Sequence, residues 1–140
     1  MRVLFDTNVI LDVLLDRKPF SKPASNLLSK VEKGEITGVI CATTITTIYY
    51  LVSKALNREK ANECLDLLLN LVEVASVNRS VIETAGKLNF KDFEDAVIYA
   101  SALHSKCSCI VTRNLEDFPT LKIPVFSPEE FLQVLKVKGE

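Results

Sequence analysis

Four aspartates and three small polar residues stand where parallel α/β proteins do chemistry. Asp6 directly follows the apolar run Arg2–Phe5, with Asn8 two residues on. Thr112, Asn114 and Asp117 follow a second, more apolar run that begins at Cys109. Asp92 and Asp95 are one helical turn apart, so on a helix they share a face. Each acid alone has a local explanation. Asp6 and Asp92 are good helix N-caps, Asp95 complements a helix dipole, and Asp117 suits an Asx turn. In parallel sheets, however, ligands bind outside the carboxyl ends of the strands. If those ends are neighbours here, three or four carboxylates converge. Two ionised carboxylates ~5 Å apart repel by roughly 3 kcal/mol at an effective dielectric of about 20. A divalent cation would relieve that repulsion, and an all-oxygen donor set suits Mg²⁺ or Mn²⁺ better than zinc.

The elements that must position these acids follow from periodicity and punctuation. Arg2–Phe5 predicts a buried strand, and Val9, Ile10, Val13 and Leu14 have helical spacing. Pro23 suits the first turn of a helix running to about Lys33, which Gly34 stops. Ile36–Cys41 predicts a second strand. Thr43 or Thr44 can cap the following helix, whose Ile45, Ile48, Tyr49 and Val52 share a face. A break at residues 57–60 precedes a helix bearing Cys64, Leu67, Leu68 and Leu71; Val72–Ser76 alternates as a third strand, and Ser80–Leu88 is helical. Asp92 opens a helix with Ala96, Val97, Ala100 and Leu103 inward. Cys109–Thr112 is a fourth strand, Val125–Phe126 a fifth, and Pro128 starts a last helix. Residues 118–128 form a surface loop and edge strand. Strands alternating with helices imply an α/β fold whose mainly parallel sheet of four to five strands is covered on both faces. No linker or repeat interrupts the chain, so residues 1–140 are expected to form a single domain.

Composition narrows the classes further. With 17 Lys plus Arg against 18 Asp plus Glu, the net charge of −1 excludes binding to nucleic acid by bulk charge. No apolar stretch approaches the ~20 residues needed to span a bilayer. The opening run meets Asp6 at once, with Asp12 and Asp16 beyond, which is unlike a signal peptide and implies a cytoplasmic location. The four cysteines are then expected as reduced thiols, Cys107 and Cys109 being too close together for a zinc knuckle. The single histidine, His104, fits a helix C-terminus, and nothing places a nucleophile beside it.

Three segments, in order, resemble the motifs of the PIN-domain family, the metal-dependent ribonucleases that include many toxins of bacterial toxin–antitoxin pairs. Asp6-Thr7-Asn8 after the opening strand is similar to the family's first motif. Asp95-Ala96, within Asp92-Phe93-Glu94-Asp95-Ala96, is similar to the helix-borne acid. Thr112-Arg113-Asn114 with Asp117-Phe118 is similar to the final motif. The resemblance runs from Arg2 to about Phe131 and implies a three-layer sandwich that hydrolyses RNA phosphodiester bonds. It also implies that Asp6, Asp95 and Asp117 hold Mg²⁺ or Mn²⁺, while Asn8, Thr112 and Asn114 orient ligands or bound water. Asp92 would be a fourth catalytic acid, serving a second metal or a metal-bound water. Arg113, Lys91 and Lys54, with Arg58, would rim the acids and attract RNA. The partners implied are RNA, an antitoxin protein and a second copy of the chain, with Tyr49–Val52 and Leu67–Leu69 available to an interface.

One position departs from the family pattern. A Glu is usual in the helix after the second strand, in a pattern close to Ser-x-x-Thr-x-x-Glu, and here Cys41–Thr47 places Thr47 at that register. Threonine supplies no charge. The alternative function is therefore a catalytically impaired PIN fold that acts by binding RNA or protein. Haloacid-dehalogenase-like and receiver-like readings fit less well. The first lacks its second acid at Asn8 and its usual insertions, and the second lacks an aspartate at the end of Val74-Ala75-Ser76.

Overall fold

The computed structural model describes residues 1–119 and 122–139. Strands Arg2–Phe5 (β1), Thr37–Cys41 (β2), Glu73–Ala75 (β3), Cys109–Val111 (β4) and Val125–Phe126 (β5) form one sheet in the order β3-β2-β1-β4-β5. All four pairings are parallel, so the expected mainly parallel sheet is wholly parallel over the described residues. The helices are Thr7–Leu14 (α1), Ser21–Glu32 (α2), Ala42–Ala55 (α3), Arg58–Leu71 (α4), Arg79–Lys87 (α5), Phe93–His104 (α6) and Pro128–Gly139 (α7).

Successive strand residues point to opposite faces, yet Val3, Leu4 and Phe5 of β1 and Val39, Ile40 and Cys41 of β2 are all fully buried. Both faces are thus covered and the domain has three layers. The chain runs outward from β1 to β2 and β3, then returns through α5 and α6 to β4 on the other side of β1. The order therefore reverses between β1 and β4, where a parallel sheet opens a crevice at its carboxyl edge. Asp6 ends one of these strands and Thr112 the other.

Helix ends differ in detail from expectation. Gly34 adopts φ +78° after α2, the left-handed geometry that ends a helix and favours glycine. Neither Thr43 nor Thr44 caps α3. Its N-cap is Cys41, because Thr44 is buried and Thr7 Oγ1 donates to its hydroxyl at 3.2 Å, while Thr43 Oγ1 lies 3.2 Å from the Cys41 sulfur. The third strand is shorter than Val72–Ser76, since Val72 serves as the C-cap of α4. Across the 118–128 loop, Phe118 is buried, and the fully buried Tyr99 accepts through its hydroxyl from the Lys122 and Ile123 N–H groups at 2.8 and 2.9 Å. Residues 120 and 121 of that loop lie outside the described residues, as does residue 140.

Candidate metal centre

Asp6 is the best-fixed acid of the crevice. Its backbone N–H still pairs with Val111 O at 2.9 Å, so the strand geometry of β1 carries through to the acid itself. One carboxylate oxygen, Oδ1, caps α1 by accepting from Thr7 N at 2.8 Å. The other, Oδ2, accepts from Thr112 Oγ1 at 2.8 Å and from Asn8 Nδ2 at 3.3 Å. The capping role and the site role therefore coexist, one on each oxygen. Thr112 is fully buried, and its hydroxyl also accepts from Asn114 N at 3.1 Å, tying the turn after β4 to Asp6.

The acids sense one another. Burial raises the Asp6 carboxyl above its usual range; the bonds from Thr112 and Thr7 pull it back, and the charges of Asp117 and Glu94 raise it again. The half-buried Asp95 is pushed up to about 7, first by burial and then by the charges of Asp6, Asp92, Asp117 and Glu94. Asp117 belongs to a short 3-10 turn, Leu115–Asp117, anchored by the buried Phe118, whose ring stands edge-on to Phe90 at 6.2 Å. Asp6, Asp95 and Asp117 thus occupy one electrostatic neighbourhood at the switch point.

Other expected members go elsewhere. Asp92 is exposed and caps α6, its Oδ1 accepting from Glu94 N at 2.8 Å and Asp95 N at 3.2 Å; its charge reaches Asp95 from that position. The Arg113 guanidinium, expected on an RNA-binding rim, is bound by Asp12 and lies over the Phe20 ring. Lys54, expected on the same rim, lies roughly 15 Å along α3 from Thr44, by helical rise, with its ammonium over the exposed Tyr50 ring at 5.4 Å. Lys91 is exposed beside Asp92, as a rim residue requires. Thr47 is one turn beyond Thr44, and its hydroxyl donates to Thr43 O at 3.2 Å. His104 and Thr84 share a hydrogen bond of 2.9 Å between Nε2 and Oγ1 at the far end of α6.

Two groups escaped sequence reasoning. Glu94 adds a fifth negative charge, close enough to act on both Asp6 and Asp95. Asp12 is fully buried and bound by Arg113 and Arg17. Its signal was present, since an acid inside Val9-Ile10-Leu11-Asp12-Val13 needs a buried partner.

The donor chemistry fits a hard divalent cation, because the neighbourhood is made of carboxylates with no His or Cys among them. As they stand, no three His, Cys, Asp or Glu side chains among the described residues are close enough together to hold one ion. The acids line the crevice without closing a cage.

A doubly wound parallel domain with an acidic crevice at its switch point is the class of protein these features define. Within that class, the chain belongs to the PIN domain family, whose sequence profile matches residues 2–116. It is similar to Ribonuclease VapC1 of Aquifex aeolicus (strain VF5), with 28% identity over 137 residues covering 94% of each chain. Among solved structures it is similar to a chain of the DNA-bound VapBC2 complex of Rickettsia felis (TM-score 0.69, 19% identity, 89% of this chain and 97% of that one). It is also similar to a chain of a toxin–antitoxin complex from Klebsiella pneumoniae (TM-score 0.70, 22% identity, 90% and 97%).

Proposed function

We propose that the chain, as one PIN domain over residues 1–140, is a metal-dependent ribonuclease and the toxin of a toxin–antitoxin pair. The observation that carries this reading is the placement of Asp6 at the end of β1, its Oδ2 bonded to Thr112 at the end of β4, at the switch point of a PIN fold. These three residues would hold Mg²⁺ or Mn²⁺. A bound ion of this kind lowers the pKa of a water and offsets charge on phosphoryl oxygens. The protein's own part is positional. Asn8 and Thr112 hold Asp6 by its Oδ2, and Asn114 N–H holds the Thr112 hydroxyl. Burial and the neighbouring acids push the Asp95 carboxyl up to about 7 in the cation-free protein, a repulsion that a bound cation would offset. Lys91, exposed beside Asp92, would meet a phosphate. The likeness to Ribonuclease VapC1 supports RNA as substrate, and the likeness to toxin–antitoxin chains supports an antitoxin partner. Tyr50, Leu51, Leu67 and Leu69 are exposed on α3 and α4 and offer an apolar surface to that partner or to a second copy. No helix of the described residues is long and apolar enough to cross a membrane, in keeping with a cytoplasmic site of action.

The test is cleavage of end-labelled RNA by purified protein with Mn²⁺ or Mg²⁺ and with chelator. Cleavage that needs the cation, and that falls on the order of 100-fold or more in Asp6→Asn, is expected. Retention of RNA without cleavage in any divalent cation would instead establish a binding domain in which Thr47 has disabled the site.

A further inference from the structure

Asp12 is the most deeply buried charge of the described residues that the site itself does not use. Arg113 grips it with two bonds, Nε to Oδ2 at 2.6 Å and Nη2 to Oδ1 at 3.1 Å, a forked geometry that fixes both planes. Arg17 Nε donates to the same Oδ1 at 2.9 Å. Arg17 reaches back over α1 because Asp16 takes φ +48°, a left-handed turn that Asp tolerates, and Arg17 N–H then pairs with Asp12 O at 2.9 Å. The Arg113 guanidinium also lies 3.9 Å from the centroid of the Phe20 ring, which closes its outer side.

These bonds join α1 to the turn after β4, the two segments that carry Asn8 and Asp117. Their line of contact leads directly to the acids. Arg113 N–H donates to Asn8 Oδ1 at 3.1 Å. A backbone N–H can meet only the oxygen of that amide, so the Asn8 amino group must face the other way. There it donates to Asp6 Oδ2, and it lies 3.3 Å from Thr112 Oγ1 as well. Arg17 Nη2 adds a bond to Asn8 O at 3.3 Å. Burying a carboxylate between two guanidiniums is an inefficient way to stabilise a helix, since an apolar side chain of similar size does as well or better. What the ion cluster supplies is a fixed position.

We infer that Asp12, Arg113 and Arg17 form a clamp that sets the Asn8 amide and the β4 turn, and through them the Asp6 carboxylate. They are positioning residues. This rests on the ribonuclease reading for its consequence and not for its structure, so it is tested in two parts. In ¹⁵N-labelled cation-free protein, Asp12→Asn and Arg113→Lys should each shift the Asn8 side-chain amide signals and speed their hydrogen exchange. In the same variants Mn²⁺ affinity by calorimetry should fall about 10-fold, as is usual for groups that hold a metal ligand. RNA cleavage should lose kcat with KM within about twofold, and the double variant should be no worse than the worse single one.

Unmoved Asn8 signals in folded variants would overturn the clamp. So would a raised KM with kcat and Mn²⁺ affinity unchanged, the pattern of an Arg113 that contacts RNA phosphate. If circular dichroism shows Asp12→Asn unfolded, Phe20→Ala, which removes only the stack on Arg113, should produce the same changes at smaller amplitude. A wild-type protein that binds no Mn²⁺ and cleaves no RNA, in which Asn8 still responds to Asp12→Asn, would retire the ribonuclease reading and support the clamp.

Discussion

Replacing Asp95 by Asn should make the cation-free protein more stable at neutral pH. The Asp95 carboxyl is pushed up from 3.8 to about 7 in the fold, chiefly by burial and then by Asp6, Asp92, Asp117 and Glu94. A raised carboxylate pKa means the folded state binds more protons than the unfolded one between those two values. Stability therefore falls as pH rises from about 4 to about 7, and the loss is complete above that. The full shift corresponds to a ceiling of roughly 4 kcal/mol, and screening of a group only half-buried reduces it to about 2. Losing the favourable place of a carboxylate in the first turn of α6 takes back ~0.5–1 kcal/mol. The net expectation is a gain of roughly 1–1.5 kcal/mol for Asp95→Asn, or about 3–5 °C in Tm for a domain of this size. The assay is thermal unfolding of both proteins with chelator at pH 4.0, 5.5 and 7.5. The variant's advantage should vanish at the lowest pH and be largest at the highest. Adding Mn²⁺ at 100 times its Kd should raise the wild type by about 2.7 kcal/mol and reverse the order. A variant that is less stable than wild type at pH 7.5 without cation, or a difference that ignores pH, would refute the electrostatic account of the crevice.

The Thr47→Glu variant restores an acid one turn beyond Thr44. It should bind Mn²⁺ more tightly and melt earlier in chelator, so its cation-induced rise in Tm should exceed the wild type's; equal rises would show that residue 47 does not face the acids. Tyr99→Phe leaves two backbone N–H groups of the 122–123 segment without their acceptor. Urea unfolding should show a loss of about 2 kcal/mol, and amide exchange at Lys122 and Ile123 should accelerate; unchanged exchange would mean that water replaces the hydroxyl at no cost.

The strands and the positions of Asp6, Thr112 and Asp95 at element ends were legible because their signals are local. Asp6 and Thr112 each mark an abrupt polar end to an apolar run, and Asp95 sits at the start of a helix with a continuous inward face. The misplacements have physical reasons. Glu94 follows Asp92 by two residues, about 200° round a helix, and precedes Asp95 by one, so spacing alone separates it from the others. Only the packing of α6 against the crevice brings its charge to Asp6. Arg113 stands beside Thr112 in sequence, but its side chain is drawn to a carboxylate 101 residues away. Thr43 and Thr44 have the chemistry of N-caps, yet the contact between α1 and α3 turns Thr44 inward to Thr7. Lys54 shares a helix with Thr47, and its ammonium lies over the Tyr50 ring one turn back.

The central place of β1 has a consequence for synthesis on the ribosome. The first strand to emerge is the middle one of the sheet, and its partner on one side, β4, comes only at residues 109–111. Until then Asp6 has neither Val111 O to anchor its N–H nor the Thr112 hydroxyl on its Oδ2. Asp117, the last of the three acids, follows later still. A growing chain can bury much of α1 to α4 against β1 and β2, but it carries no complete acidic crevice until the turn after β4 has followed. A segment that stops short of residue 117 lacks both the 3-10 turn and the carboxylate that Asp117 brings to the crevice, whatever else of it has folded.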